Sequence, residues 1–133
     1  MIDRTRNGEE GSITALVLVL AMTFIACAGL AVDGGRLVAA KIELGDQAEN
    51  AARAGAQEIA SLRSGSLEID EFRAVIAAEE FLASHGLNGD VYVRDNSVTV
   101  SVRRVIPMTL LGLFGVKEKT LSARRSATPA DGP

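Results

Sequence analysis

From Gly11 to Val32 the chain carries no charged residue, and Asp33-Gly34-Gly35-Arg36 then closes the apolar run abruptly. A helix of about 20 apolar residues, at 1.5 Å rise, spans the roughly 30 Å of hydrocarbon in a bilayer. Ile13 to Val32 has that length without a proline, so the pattern predicts a transmembrane helix. A buried core helix would need protein around its whole circumference, and the remaining chain is too short and too polar to supply it.

The helical period continues past the boundary. Leu37, Ala40, Leu44, Ala48, Ala51, Ala52, Gly55, Ile59 and Leu62 recur at three- and four-residue spacing, which predicts one helix from about Ser12 to Arg63. Gly34, Gly35 and Gly45 are its weak points, and a bend just outside the bilayer is expected there. Ala48, Ala52, Ala56 and Ala60 form a ladder of small residues at four-residue intervals, which allows another backbone to approach closely. The ladder reads as a helix-packing face for another subunit, or as plain scaffold built from the best helix former. Asp33 and Arg36, three apart on one face at the end of the apolar run, are expected to pair and to fix the depth of the helix.

Ser64-Gly65-Ser66 interrupts the helix. A second helix is predicted from about Asp70 to His85, with Asp70 as N-cap, Phe72, Val75, Ile76 and Leu82 toward a core, and Gly86 as the stop. Period two then takes over. Val91 and Val93 alternate with Tyr92 and Arg94, and after Asp95-Asn96 the valines Val98, Val100 and Val102 alternate with Thr99, Ser101 and Arg103, the pattern of a hairpin. Pro107 ends the second strand, Met108 to Phe114 forms an apolar connector, Glu118 to Ala127 reads as a third strand, and residues 128–133 form a disordered tail. The connector's apolar side chains either cover the core or touch membrane or a partner. The fold class is thus α+β: a long N-terminal helix, half of it transmembrane, and a small domain holding a second helix and a three-stranded antiparallel or mixed sheet. Its divisions are a short flank (1–11), the span (12–33), an Ala-rich amphipathic continuation (34–63), the small domain (66–127) and the tail (128–133).

A net charge of -3 over 133 residues gives no field that would favour nucleic acid. The distribution is more informative. From Asp33 to Asp90 acids outnumber bases 11 to 5, and from Val91 onward bases outnumber acids 7 to 3, so a helical half and a strand-rich half are set to attract each other within or between molecules. The single cysteine, Cys27, excludes an internal disulfide. Its surroundings partly resemble a lipobox, and Ala26-Cys27-Ala28 resembles a signal-peptide cleavage site. Against cleavage stand Glu9 and Glu10, where a signal peptide prefers positive charge, and the continuation of the apolar run past Cys27. The lone His85 lies in a last helical turn, where it suits the helix dipole as a cap. No nucleophile with a base, phosphate-cradling loop or metal-ligand spacing is present, and Glu79-Glu80 point about 100° apart on a helix. No enzyme activity, cofactor, metal or small-molecule substrate is expected.

The apolar span, the boundary Asp33-Gly34-Gly35-Arg36, the helical run Leu44 to Ala56 and the strand-Pro-Leu-Leu-Gly-Leu-Phe-Gly-strand segment together resemble TadE/TadG-like proteins of bacterial Tad (Flp) pilus systems. The most specific parts are the boundary motif and the connector from Ile106-Pro107 to Gly115. The resemblance implies a pseudopilin-like or minor pilin-like component of pilus assembly or secretion, whose partners are other pilus-assembly subunits and the lipid bilayer. It implies a single pass through the cytoplasmic membrane, with the N-terminus inside and the C-terminal domain outside. Flanking charges alone barely discriminate the orientation, since Arg4 and Arg6 stand on one side and Arg36 and Lys41 on the other. The sequence departs from a prepilin pattern, which would place a glutamate five residues after a processing glycine: Gly8 places Ile13 there and Gly11 places Leu16. From a different class, the alternative is a secreted or lipidated binding domain whose apolar run is only an export signal.

Overall fold

The computed structural model describes residues 6–61 and 67–129, with the side chains of residues 6–10, 60 and 61 left aside. The expectations placed on Arg4, Leu62, Arg63, the Ser64-Gly65-Ser66 break and the end of the tail lie outside the described residues. The chain divides into two compact units: one takes the N-terminal stretch to Arg36 with Pro107–Glu118, and the other takes Leu37–Ile106 with the segment from Lys119 onward.

Helix α1 runs Arg6–Ala56 and passes through Gly34, Gly35 and Gly45 without a break in its helical assignment. It ends seven residues before the expected Arg63. Gln57 N–H donates to the Arg53 carbonyl and Glu58 N–H to the Gly55 carbonyl, both at 3.1 Å, which tightens the last turn. The backbone then turns extended, and β1 (Ile59–Ser61) pairs antiparallel with β2 (Glu68–Ile69), Ile59 opposite Ile69. A β-branched residue with a strand partner wins there over the helical spacing.

Helix α2 (Glu71–Ser84) begins at the expected cap, where the Asp70 carboxylate accepts the Arg73 N–H at 3.1 Å. It ends at His85, and Gly86 follows with φ +65°, a left-handed conformation that costs glycine little. The His85 ring stacks on Phe81 with centroids 4.3 Å apart, and its Nδ1 lies 2.9 Å from the Phe81 carbonyl. The buried stripe of α2 is Ala74, Ala78 and Leu82. Phe72, expected in the core, is 76% exposed, and Ile76 is exposed too. The reason is close approach: a Cβ on Gly55 would stand 2.8 Å from the Ala74 carbonyl oxygen, so small residues occupy the interface between α1 and α2 and the large ones turn outward.

The sheet has the order β3 (Gly89–Arg94), β4 (Ser97–Pro107), β5 (Glu118–Ala127). β3 and β4 are antiparallel, with Val91 opposite Val100 and Val93 opposite Val98, so valines meet across strands on one face. β5 also runs against β4: Ser97 Oγ bonds to the Ala127 carbonyl, while Thr99 Oγ1 meets Ser126 Oγ at 2.8 Å. The β3–β4 loop is Asp95-Asn96, both with positive φ (51° and 58°), as a two-residue type I′ hairpin requires. Val98, Val100 and Val102 are fully buried and share one core with Leu44, Ala48, Ala51, Ala52 and Ala56 of α1, Ala74, Ala78 and Leu82 of α2, Ile69, Leu87 and Ala123. Arg104 continues the same face of β4 beyond the valines and reaches Glu43 on α1 at 3.4 Å, so the opposite charges of the helical and strand-rich halves meet inside one molecule. Exposed pairs of this kind stabilise by less than about 1 kcal/mol.

Asn96 does more than complete the turn. Its side-chain Oδ1 accepts the Ile69 N–H at 2.9 Å and its Nδ2 donates to the Leu67 carbonyl at 2.7 Å, fastening the hairpin tip to β2. Asn96→Gly keeps the left-handed backbone and loses both bonds, whereas Asn96→Ala also strains the turn. Urea unfolding of the detergent-solubilised protein should show a loss of about 1 kcal/mol for the glycine variant and a larger one for alanine. Equal losses would remove the turn conformation from the account.

Candidate functional site

In the first unit, the boundary motif closes on the connector. Asp33 is one turn beyond Gly29 on α1, at the end of the uncharged run, and it is the one buried charged side chain among the described residues, 1% exposed. Its partners are backbone amides 76 to 78 residues away: Thr109 N–H donates to Oδ1 at 3.1 Å, and Leu110 and Leu111 N–H donate to Oδ2 at 2.8 and 2.7 Å. Leu111 is the first residue of a short 3-10 helix, Leu111–Phe114, with Leu110 at its N-cap position and Thr109 just before it, and the first amides of any helix lack partners within it. The carboxylate holds the entry to this turn from outside by accepting the two lead-in amides and the first helical one. Each bond to a charged acceptor contributes roughly 1.5–3 kcal/mol.

The rest of the connector is drawn into the same arrangement. Arg36 donates through Nη1 to the Thr109 hydroxyl, and a Cβ on Gly29 would meet the Leu110 Cβ at 3.0 Å, so Leu110 lies directly on a bare patch of helix. Met108 N–H donates to the Lys117 carbonyl at 2.9 Å and closes the base of the loop. The top is closed by Val116 N–H to the Leu111 carbonyl at 3.1 Å and by Gly115 at φ +93°. Residues 108–117 therefore form a closed hook pinned to α1 at Gly29, Asp33 and Arg36.

Asp33 and Arg36 approach to 3.9 Å as an ion pair, and each also makes a closer bond to the hook. Gly34 and Gly35 face nothing within 4 Å of where a Cβ would stand, so no described neighbour requires glycine at either position. The hook as Asp33's partner was missed in the sequence reading. The only signals were a carboxylate at the end of an apolar run and a proline-led apolar connector, and nothing in spacing joins them.

The alanine ladder belongs to the second unit and is already occupied. Ala48, Ala52 and Ala56 are at most 3% exposed and lie within the chain's own core, under the sheet and α2, so the face expected to meet another subunit is covered by this chain. Ala60 is not on the helix at all but in β1. Close backbone approach, the property inferred for the ladder, is present as an intramolecular contact.

Among the described residues no group of three or more His, Cys, Asp or Glu side chains is placed to hold a metal ion. Among the described residues one helix is long and apolar enough to cross a membrane. Its large apolar side chains between Ile13 and Val32, Leu16, Val19, Phe24 and Leu30 among them, are all exposed.

No curated protein and no solved structure matches the chain. Residues 11–58 match the family model described as Flp pilus-assembly TadE/G-like, a stretch that takes in the apolar run, the boundary motif and the remainder of α1. That stretch is similar to TadE/G-like proteins of Flp pilus assembly.

Proposed function

We propose that this protein is a membrane-anchored, pseudopilin-like or minor pilin-like component of a Tad/Flp pilus assembly or secretion system, acting through packing rather than through bond-making chemistry. The observation that carries the reading is the uncovered apolar face of α1 from Ile13 to Val32, inside the stretch that matches the family. Exposed apolar area of that extent is costly in water, at about 25 cal/mol per Å², and a bilayer is the environment that removes the cost. The proposed topology is a single pass through the cytoplasmic membrane, N-terminus inside, with the α2–sheet unit outside, where it contacts other assembly subunits.

The full-length protein is expected to stay in the membrane fraction after carbonate extraction, with an intact mass that includes the apolar run. Recovery of most of it as a soluble form shortened at Cys27 or Gly29 would overturn the anchor reading in favour of an export signal. For the assembly reading, deletion of the gene should abolish surface pili or secretion while leaving the other subunits present. Unchanged piliation would sink it.

A further inference from the structure

The geometry points to a second membrane contact: the hook at residues 108–117 is an interfacial element that seats Leu113 and Phe114 in the outer edge of the bilayer beside the end of the anchor. The inference rests on the anchor reading of α1 and adds a lipid-binding site contributed by a distant part of the chain.

Depth is the first argument. Leu110 lies on Gly29, four residues before Asp33, so the hook reaches about 6 Å back along the helix from the boundary carboxylate. If Val32 marks the edge of the hydrocarbon, a segment lying against Gly29 is beside the last turn within it. The second argument is the side chains that the hook turns outward. Leu113 is 76% exposed, Phe114 is 50% exposed, and Val116 is exposed as well, so the loop presents apolar surface continuous in kind with Leu30 and Val32 of the helix. The third is backbone chemistry. Irregular backbone is tolerated next to lipid only when its polar groups are satisfied within the protein. Here Asp33 satisfies three consecutive amides, and the turn's own bonds from Leu113, Gly115 and Val116 satisfy three more. The charges stand where they suit headgroups: Arg36 is half-exposed and Lys117 exposed at the base of the loop, and such side chains extend to the interface while their stems remain in apolar surroundings. A loop that only covered a protein core would have these apolar side chains turned in.

The chain has no tryptophan, so single-tryptophan variants report position without background. Four full-length proteins, Leu113→Trp, Phe114→Trp, Leu20→Trp in the span and Tyr92→Trp on β3, are reconstituted in vesicles of phosphatidylcholine and phosphatidylglycerol, some brominated near the headgroup and some near the chain end. Tryptophan at 113 and 114 should emit to the blue of tryptophan at 92, and should be quenched roughly twofold or more by the shallow bromines, consistent with the interfacial preference of the indole ring. Leu20→Trp should be quenched best by the deep bromines. If position 20 is quenched and positions 113 and 114 behave like position 92, the anchor stands and the interfacial hook is wrong, the apolar side chains then being left for a second copy or a partner subunit. If position 20 is not quenched either, the anchor reading itself fails. Because tryptophan is larger than leucine, Phe114→Ser in the Leu113→Trp background provides a check: it should reduce shallow quenching without changing membrane recovery.

Discussion

Asp33→Leu is expected to release the hook while leaving the anchor inserted. The substitution lengthens the apolar run and removes the acceptor for three amides in a buried position, and each unsatisfied buried donor costs roughly 1–3 kcal/mol. The loop would open to water rather than bear that cost. Hydrogen exchange at Thr109, Leu110 and Leu111 should then accelerate by about a hundredfold, equivalent to about 2.7 kcal/mol, and protease should cut between Met108 and Val116. Asp33→Asn is the graded case. Its single carbonyl can keep the bonds to Leu110 and Leu111 made by Oδ2, but its amide then faces the Thr109 N–H, so protection should fall by less and most at Thr109. Asp33→Glu keeps the charge yet shifts the carboxylate by one methylene relative to the three amides, and it should also weaken the hook. Unchanged exchange in Asp33→Leu would show that the hook is held without the carboxylate, by the Gly29–Leu110 contact and the Arg36–Thr109 bond.

The second large effect concerns the alanines of α1. Ala52→Leu should strongly destabilise the α2–sheet unit, lowering its unfolding midpoint. The Ala52 side chain is 0% exposed within the core that also holds Val98, Val100 and Leu82, and adding side-chain volume to a filled core costs typically 1–3 kcal/mol or more. For a small domain whose total stability is of order 5–15 kcal/mol, that is a large fraction. Gly55→Ala is the finer test, because its Cβ would lie 2.8 Å from the Ala74 carbonyl oxygen and 3.1 Å from Val98. Alanine gains up to about 1 kcal/mol of helix propensity over glycine, so a net loss of stability in thermal unfolding would show that close approach outweighs propensity. Retention of full stability by Ala52→Leu, together with loss of a partner subunit on purification, would return the ladder to an intermolecular role.

Much of the small domain was legible because its signals are local. The Asp70 cap, the Gly86 stop, the valine alternation and the Asp95-Asn96 turn each depend on residues within a few positions of one another, and all four are present where the spacing placed them. The errors share a physical cause in small residues. Ala and Gly carry little hydrophobic signal, so Phe72 and Ile76 were assigned inward ahead of Ala74 and Ala78, although the nearness of Gly55 to α2 leaves space only for the small side chains. The end of α1 was misplaced because Ile59 suits a helical stripe as well as a strand, and only its pairing with Ile69 decides. Ala48, Ala52 and Ala56 lie in the chain's own core, and sequence contains no sign of whether a small-residue face meets the same chain or another. The site at Asp33 was half visible. Its position at the end of an apolar run marked it, while its partners, more than seventy residues later, are joined to it only by the fold.

That separation has a consequence for synthesis. The apolar run is made before the connector, and a chain that stops between Arg36 and Thr109 already holds the whole of the proposed span, but its Asp33 has none of the three amides that bind it in the finished fold. Closing a loop of more than seventy residues carries an entropic penalty that grows only slowly with length, so the delay is set by the growing chain rather than by the search. The proposed anchor is thus complete in length long before its boundary is complete in structure, and the last stretch to emerge before β5 is the one that seals it.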